Sequence, residues 1–374
     1  MKEYLRQLPH RYFITAFTGM AQGLFVTLIA GTILGQVAAF LPDSTFTTFL
    51  ATIALLAKSL MGAGIGIGIA HALGHNKLVM LAAGPAGLIG AFTGSFFESL
   101  AGTFPVGEDG ALMLSLGSPG NPIGAYVVTM FVVEILGLYA GKTSLDIILV
   151  PLGGLLFSGI GIFIAYPFVW IVNQLGWLIA KATDASPLPM GIIIAVSIGL
   201  LLTMPTSSAA TWVSVSMPIL GVGAVASQAD QNAMLLASGA AAVGCASQMI
   251  GFAVSSYREN GFGGFIAQGF GTSMLQIPNI MRKPIILVPM TVASAVGGAL
   301  STTVFKVQAS SAGGGMGTSG LVGVIDAFTH TSGTLGMVGI IVLMFILPAV
   351  LSLAISEFMR IRGWIKLGDM KLPD

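Results

Sequence analysis

Long apolar runs without alternation, separated by short polar breaks, dominate the chain. A helix that crosses a bilayer needs about 20 mostly apolar residues. Runs of that kind cover Tyr12–Leu41, Thr45–Leu73, Leu78–Phe97, Ile123–Ala140, Leu145–Ala180, Met190–Met204, Ala233–Ser256, Ile285–Phe305 and Met337–Phe358. Leu145–Ala180 is too long for one crossing at about 1.5 Å per residue. It reads as two spans, or as one span plus a shallow helix, with a break near Pro167. With shorter ambiguous segments the pattern predicts about ten spans. A transmembrane barrel would instead show segments of about 10 residues alternating polar and apolar. The first run is too long for a signal peptide and lacks a cleavage-like end.

Three stretches are apolar but too short or too broken to span. The first opens at Pro205-Thr206-Ser207-Ser208 and runs to Pro218. The second is Gln308–Gly336, with the Gly-rich core Gly313-Gly314-Gly315-Met316-Gly317-Thr318-Ser319-Gly320. The third is Gly117-Ser118-Pro119-Gly120-Asn121-Pro122. Non-helical backbone at membrane depth survives only where protein or a water-filled cavity covers it. Paired broken segments in two halves of a chain point to a transporter's binding site. The other reading is that these are loops outside the membrane, with Gly and Ser as turn residues.

Composition narrows the class. Of 374 residues, 55% are hydrophobic and 8% charged, and the mean hydropathy is +0.93. Soluble domains carry roughly 25% charged residues, so a soluble enzyme, a disordered chain and a coiled coil are excluded. A net charge of +1 leaves no electrostatic footprint for nucleic acid. A single cysteine excludes a disulfide framework. Lys2, Arg6 and Arg11 precede the first run, and Arg360, Arg362, Lys366 and Lys371 follow the last. Asp43–Ser44 and Glu98–Asp109 hold no basic residue. The positive-inside bias therefore predicts two cytoplasmic termini and an even number of crossings.

Candidate chemistry is sparse. Gly62, Gly66 and Ala70 share one helix face, and Gly64, Gly68 and Ala72 another, which reads as close helix packing rather than a nucleotide loop. Intramembrane charge marks function by default. Lys58 sits within a run, where it either neutralises an internal acid or lies near an interface, the run then being two short helices. Glu98 and Glu134 lie at run ends and read as interfacial. Tyr257-Arg258-Glu259-Asn260-Gly261 reads as a solvated turn with Arg258 and Glu259 paired at the surface, or as the polar mouth of a pathway. Gln248 and Gln268 are packing glue or solute ligands, because buried amides need partners. Cys245 reads as apolar filler. His71 and His75 share a face, but no acid or cysteine completes a metal set. No Ser-His-Asp grouping can be placed, and no cofactor is expected.

Several motifs in order carry a resemblance. They are Asn121-Pro122-Ile123-Gly124-Ala125, Ala140-Gly141-Lys142-Thr143, Leu145-Asp146-Ile147-Ile148-Leu149-Val150-Pro151, Pro187-Leu188-Pro189-Met190-Gly191, Pro205-Thr206-Ser207-Ser208-Ala209 and Gly315-Met316-Gly317-Thr318-Ser319-Gly320-Leu321. Together these resemble the EIIC-like membrane proteins of the phosphotransferase system, in the PfoR-like branch named for a regulator of perfringolysin. The resemblance covers nearly the whole chain. It implies an all-α polytopic membrane protein of the bacterial plasma membrane, a homodimer of about ten spans plus two re-entrant hairpins. A scaffold subdomain would hold the dimer, and a transport subdomain would carry a sugar by an elevator motion. The superfamily's late-hairpin glutamate, which helps bind sugar, has no counterpart among Gly315–Gly323. No stretch is long enough for a cytosolic phosphorylated domain, so residues 1–374 read as one integral membrane unit. Phosphoryl transfer would need separate cytosolic phosphocarrier proteins.

The expected activity is that of a permease for a small polar solute, a sugar among them. Ser207, Ser208, Thr318 and Ser319 are expected to line the site, with Asn121 and Gln248 nearby. Gly317 and Gly320 would let the backbone approach closely. Lys58 and Glu98 are the candidates for proton coupling. Two alternatives stay open, a membrane ligand sensor without net transport and a secondary transporter uncoupled from phosphorylation.

Overall fold

A computed structural model describes residues 10–42, 44–100, 120–204, 207–221, 224 and 226–372. Lys2, Arg6, Asp43, residues 101–119, Pro205, Thr206 and the Glu98 side chain, all named above, lie outside what is described. Every described element is helical. Among the described residues, six helices are long and apolar enough to cross a membrane: Ile14–Ala38, Pro122–Tyr139, Asp146–Ala185, Gln228–Ser255, Pro284–Phe305 and Thr334–Ile361. Thr45–Ser59 and Met61–Ala72, bent by 52°, make a seventh if counted as one span. Lys77–Ala91, Pro187–Thr203 and Ser208–Leu220 are shorter apolar helices. The chain forms two compact units, Met1–Gly176 with Gly221–Ala224, and Trp177–Leu220 with Val225–Asp374.

In the first unit, α1 is the span Ile14–Ala38. It is followed by α2 (Thr45–Ser59), α3 (Met61–Ala72), α4 (Lys77–Ala91), α5 (Thr93–Leu100), α6 (Pro122–Tyr139) and the start of α7 (Asp146–Ala185). Ser44 and Thr47 form a reciprocal capping box that starts α2, satisfying otherwise orphaned amides. Lys58 lies in the last turn of α2, where its charge complements the helix dipole. The Lys58 run is therefore two helices, the second of the two readings above. The glycine ladder of α3 is used on both faces. A Cβ at Gly64 or Gly68 would overlap α1 at Gly23 and Gly19, and one at Gly62 or Gly66 would overlap α4 at Gly87 and Ala83. Small residues thus let three backbones touch, as close packing without a hydrophobic driving force requires. Glu134 on α6 accepts from Arg11 Nε at 2.9 Å.

One expectation needs correction. The run over Leu145–Ala180 is not broken near Pro167. Helix α7 continues for 40 residues with both Pro151 and Pro167 inside. A proline removes one helical hydrogen bond, and membrane helices tolerate this where neighbouring groups re-satisfy the freed carbonyl. At about 1.5 Å per residue, α7 is roughly twice as long as a hydrocarbon core is thick.

The second unit is built around α10 (Gln228–Ser255), whose apolar window is 89% buried. Its other elements are α8 (Pro187–Thr203), α9 (Ser208–Leu220), α11 (Tyr257–Ile266), α12 (Ile277–Arg282), α13 (Val288–Leu300), the single turn α14 (Ser311–Gly314), α15 (Val322–His330) and the span α16 (Thr334–Ile361). Small residues on every side of α10 explain its central place. A Cβ at Gly244 would overlap Ala195 of α8, one at Gly251 would press on Ser352 and Met290, and one at Gly239 would overlap Val307.

Candidate functional site: two opposed hairpins

Residues 307–331 double back beside α10. At their base Gln308 N donates to Thr331 Oγ1 at 3.0 Å, and Thr331 Oγ1 donates to Gln308 O at 3.1 Å. Ala309 N donates to Leu235 O at 3.1 Å, fixing the base near one end of α10. The tip lies much further along that helix. A Cβ at Gly317 would sit 2.5 Å from Ala246 N, and Thr318 Oγ1 is 3.5 Å from Met249 Sδ. The separation along α10, from residue 235 to 249, is about 20 Å at roughly 1.5 Å per residue. Gly317 also has φ +54°, so both its backbone and its neighbours require glycine. Gly320 has φ +52° but only a distant neighbour, so its requirement is conformational alone.

A second hairpin comes from the other end of α10. It comprises α11, a π turn at Ala267–Gly271, a 3₁₀ turn at Ser273–Gln276, and α12. Gly261, φ +60°, kinks α11. Both arms bind the same C-terminal segment: Asn260 Nδ2 donates to Met370 O at 2.9 Å and Asn279 Nδ2 to Lys371 O at 2.8 Å. The chain therefore doubles back here too, with Gly269–Ser273 at the tip. This corrects the reading of Tyr257–Gly261 as a turn with a surface pair. Arg258 bonds Glu357 at 3.0 Å, and Glu259 bonds Arg360 at 2.9 Å, not one another. On a helix adjacent residues point apart, which is why neighbours in sequence find different partners.

The two tips meet. Thr318 Oγ1, fully buried, donates to Gly269 O at 2.6 Å. Ser319 Oγ donates to Gly271 O at 3.0 Å. The α9 end closes on the same place: Ser208 Oγ donates to Gly315 O at 2.7 Å, and a Cβ at Gly315 would press on Ala209. Thr203, at the end of α8, lies 2.9 Å from Ser273 Oγ and 3.4 Å from Gln248 Oε1. Gln248 Nε2 donates to Ser294 Oγ at 3.4 Å. Ser208, Gln248, Gly317, Thr318 and Ser319 thus belong to one hydroxyl, amide and carbonyl cluster. Ser207 Oγ accepts from Ala210 N at 3.1 Å and starts α9. Asn121 belongs to the first unit. Its Oδ1 accepts from Ile123 N at 2.9 Å and Gly124 N at 3.2 Å, capping α6, and its Nδ2 donates to Asn173 Oδ1 at 3.3 Å.

Two parts of this arrangement were missed from sequence. The tip Gly269–Ser273 lacks the serine and glycine density of the other broken segments. Its signal is the run Gly261–Gly271, too glycine-rich to span as a straight helix. The other omission is Asp326, fully buried on α15. Its carboxylate accepts from Ser310 N at 2.6 Å and Ser310 Oγ at 2.8 Å, and lies 3.6 Å from His330 Nδ1. It ties the descending arm of the first hairpin to the ascending one. The late hairpin has no glutamate, yet it does hold an acid. A lone Asp within the apolar Val322–Phe328 stretch was the available signal, since buried charges occur where partners await them.

Hydroxyls, amides and carbonyls gathered around a close backbone contact can donate to and accept from the hydroxyl groups of a polar solute. The profile described as Phosphotransferase system, EIIC matches residues 14–372. The chain belongs to the phosphotransferase system EIIC family. Comparison with curated proteins and with solved structures gives no significant match. EIIC proteins are multi-pass proteins of the plasma membrane, and the family implies a sugar substrate and phosphocarrier partners in general.

Proposed function

We propose that this EIIC protein is a permease carrying a small polar solute, a sugar being the class its family implies, and that it belongs to the PfoR-like branch. The two hairpins are re-entrant, one from each side of the membrane, and their contact at Thr318–Gly269 and Ser319–Gly271 is the solute site. The observation that carries this reading is that contact, supported by hydrogen-bonding groups from three broken segments and by glycines that admit no side chain. Ser207, Gln248 and Gly317 complete the neighbourhood, with Asn121 as a capping residue of the other unit. The second unit is the transport unit and the first the scaffold of a homodimer, moving in the elevator manner. Separate cytosolic phosphocarrier proteins supply the phosphoryl group. About ten crossings, with both termini in the cytoplasm, complete the proposal.

Release of the tip contacts would free the Ser208, Thr318 and Ser319 hydroxyls and the Gly269 and Gly271 carbonyls for solute hydroxyls. The test is a thermal-shift screen of the purified protein against sugars, polyols and small polar metabolites, repeated on Ser208→Ala and Thr318→Ala. A ligand that binds only the folded state raises apparent stability with concentration. A sugar shift lost in both variants supports the site. A shift from another solute class alone, unchanged in the variants, contradicts it.

A further inference from the structure

The C-terminal segment after α16 has two distinct faces. Inward, Ile365 and Met370 are buried in a cluster with Phe252, Ile280, Met290 and Met359. Its backbone is held at several points. Met370 N donates to Glu259 Oε2 at 2.8 Å, Leu372 N to Asn260 Oδ1 at 2.8 Å, and Gln276 Nε2 to Met370 O at 2.9 Å. Lys283 Nζ bonds Asp369 at 2.7 Å. The segment is therefore a fixed strap across the base of the second hairpin.

Outward, the strap exposes large apolar side chains where a water-facing tail would not. Ile361 is 84% exposed, Leu367 75% and Trp364 52%, and Met281 of α12 is 78%. Basic residues interleave with them: Arg282, Arg362 and Lys366 are all exposed. Arg362 lies over the Phe358 ring at 5.5 Å. The charge is lopsided. Residues 257–283 and 356–372 hold seven Lys and Arg but three Asp and Glu, in a chain whose net charge is +1. All three acids are already paired, Glu259 with Arg360, Glu357 with Arg258 and Asp369 with Lys283. Among the described residues, Arg282, Arg362 and Lys366 have no acidic partner within ion-pair distance.

We propose that the outer face of this strap, formed by Ile361, Arg362, Trp364, Lys366 and Leu367, docks on an anionic phospholipid surface. The charge complementarity selects anionic headgroups. Tryptophan and aliphatic side chains beside lysine and arginine suit the interface, where one end is apolar and the other wet. Because the inner face grips Glu259, Asn260, Gln276 and Lys283, lipid bound outside stabilises the hairpin inside.

The experiment places the full chain in nanodiscs of phosphatidylcholine with or without about one third phosphatidylglycerol, the same in both leaflets. Cys245 is fully buried, so an environment-sensitive dye on Leu367→Cys reports the strap alone. Each basic side chain near an anionic surface contributes about fivefold in affinity. Arg362→Gln with Lys366→Gln is therefore expected to weaken the anionic preference by about 20- to 30-fold. Phosphatidylglycerol should shift the dye emission to the blue and raise the unfolding midpoint, both effects shrinking in high salt. The double variant should lose both, while Lys142→Gln, an exposed lysine of the first unit, keeps them. Dye emission and midpoint blind to lipid charge overturn the proposal, as expected if an acidic partner protein is the true occupant. An equal response in the parent and the double variant overturns it as well. Solute binding is not read in this experiment, so its outcome is independent of the proposed permease activity.

Discussion

Replacing Thr318 by valine keeps the shape of the hairpin tip and removes one hydroxyl. In the structure that hydroxyl donates to Gly269 O at 2.6 Å with no exposure to solvent. Losing one partner of a buried hydrogen bond costs about 1–3 kcal/mol in soluble proteins. Interhelical hydrogen bonds in a membrane average nearer 0.6 kcal/mol, with a maximum of about 1.7. The Gly269 site is buried in protein on all sides, so about 1–2 kcal/mol is expected, a factor of roughly 5–30 in the docked-to-undocked ratio. Thr318→Ser, which keeps the donor, should lie much closer to the parent. The assay is hydrogen exchange of the Gly269–Ser273 amides in detergent or nanodiscs. Valine should speed exchange at this tip by about the same factor and leave the Gln308–Thr331 base untouched. Equal exchange in the valine, serine and parent proteins refutes the reasoning, because the two tips then do not hold one another.

Further outcomes follow from the same geometry. Gly66→Ala should lower the unfolding midpoint strongly, since its Cβ would overlap the Ala83 carbonyl, while Gly159→Ala, with open space around it, should raise it slightly through helix propensity of about 1 kcal/mol. Glu259→Gln leaves Arg360, whose side chain is 10% exposed, without its nearest acid and should cost up to about 3–5 kcal/mol, less what Glu357 at 3.7 Å recovers. Faster tryptic cleavage after Arg362 or Lys366 would report the freed strap. Burial pushes the Asp369 carboxyl up, but its bonds to Lys283 and the Lys366 amide and the nearby Arg360 charge outweigh this and hold it below its ordinary value. A depressed folded pKa stabilises above the unfolded value and is lost as pH falls through the folded one. Hydrogen exchange of the Lys366 amide should therefore stay slow at neutral pH, corrected for intrinsic rate, and rise only below about pH 4. Lys283→Gln should move that rise to higher pH.

Much of the architecture was legible from period and length. The two small-residue faces of Gly62–Ala72 were read from four-residue spacing, and both now touch a neighbouring helix. Two short helices over Thr45–Leu73 were one of two readings, because a lysine within an apolar run can mark either an internal charge or a position near an interface. Proline misled over Pro167, since local propensity weighs less than packing inside a bundle. The hairpin at Gln308–Thr331 could be suspected because glycine density exceeds what a straight span tolerates. The run Gly261–Gly271 carried a weaker signal of the same kind for its partner, but the meeting of Thr318 with Gly269 is a contact 49 residues apart that no local pattern encodes. Asp326 was visible as an isolated acid in an apolar stretch, but its role depends on Ser310, which lies 16 residues away.

The most direct test of the central claim is solute uptake by the purified protein in proteoliposomes, with phosphocarrier proteins added or withheld. A panel of labelled sugars and other polar solutes should yield at least one sugar that enters faster than in empty vesicles. That flux should fall at least tenfold in Ser319→Ala, whose side chain is only half-buried. Saturable binding without flux for every solute tested, or flux indifferent to Ser319, would contradict a permease whose site lies between the two hairpin tips.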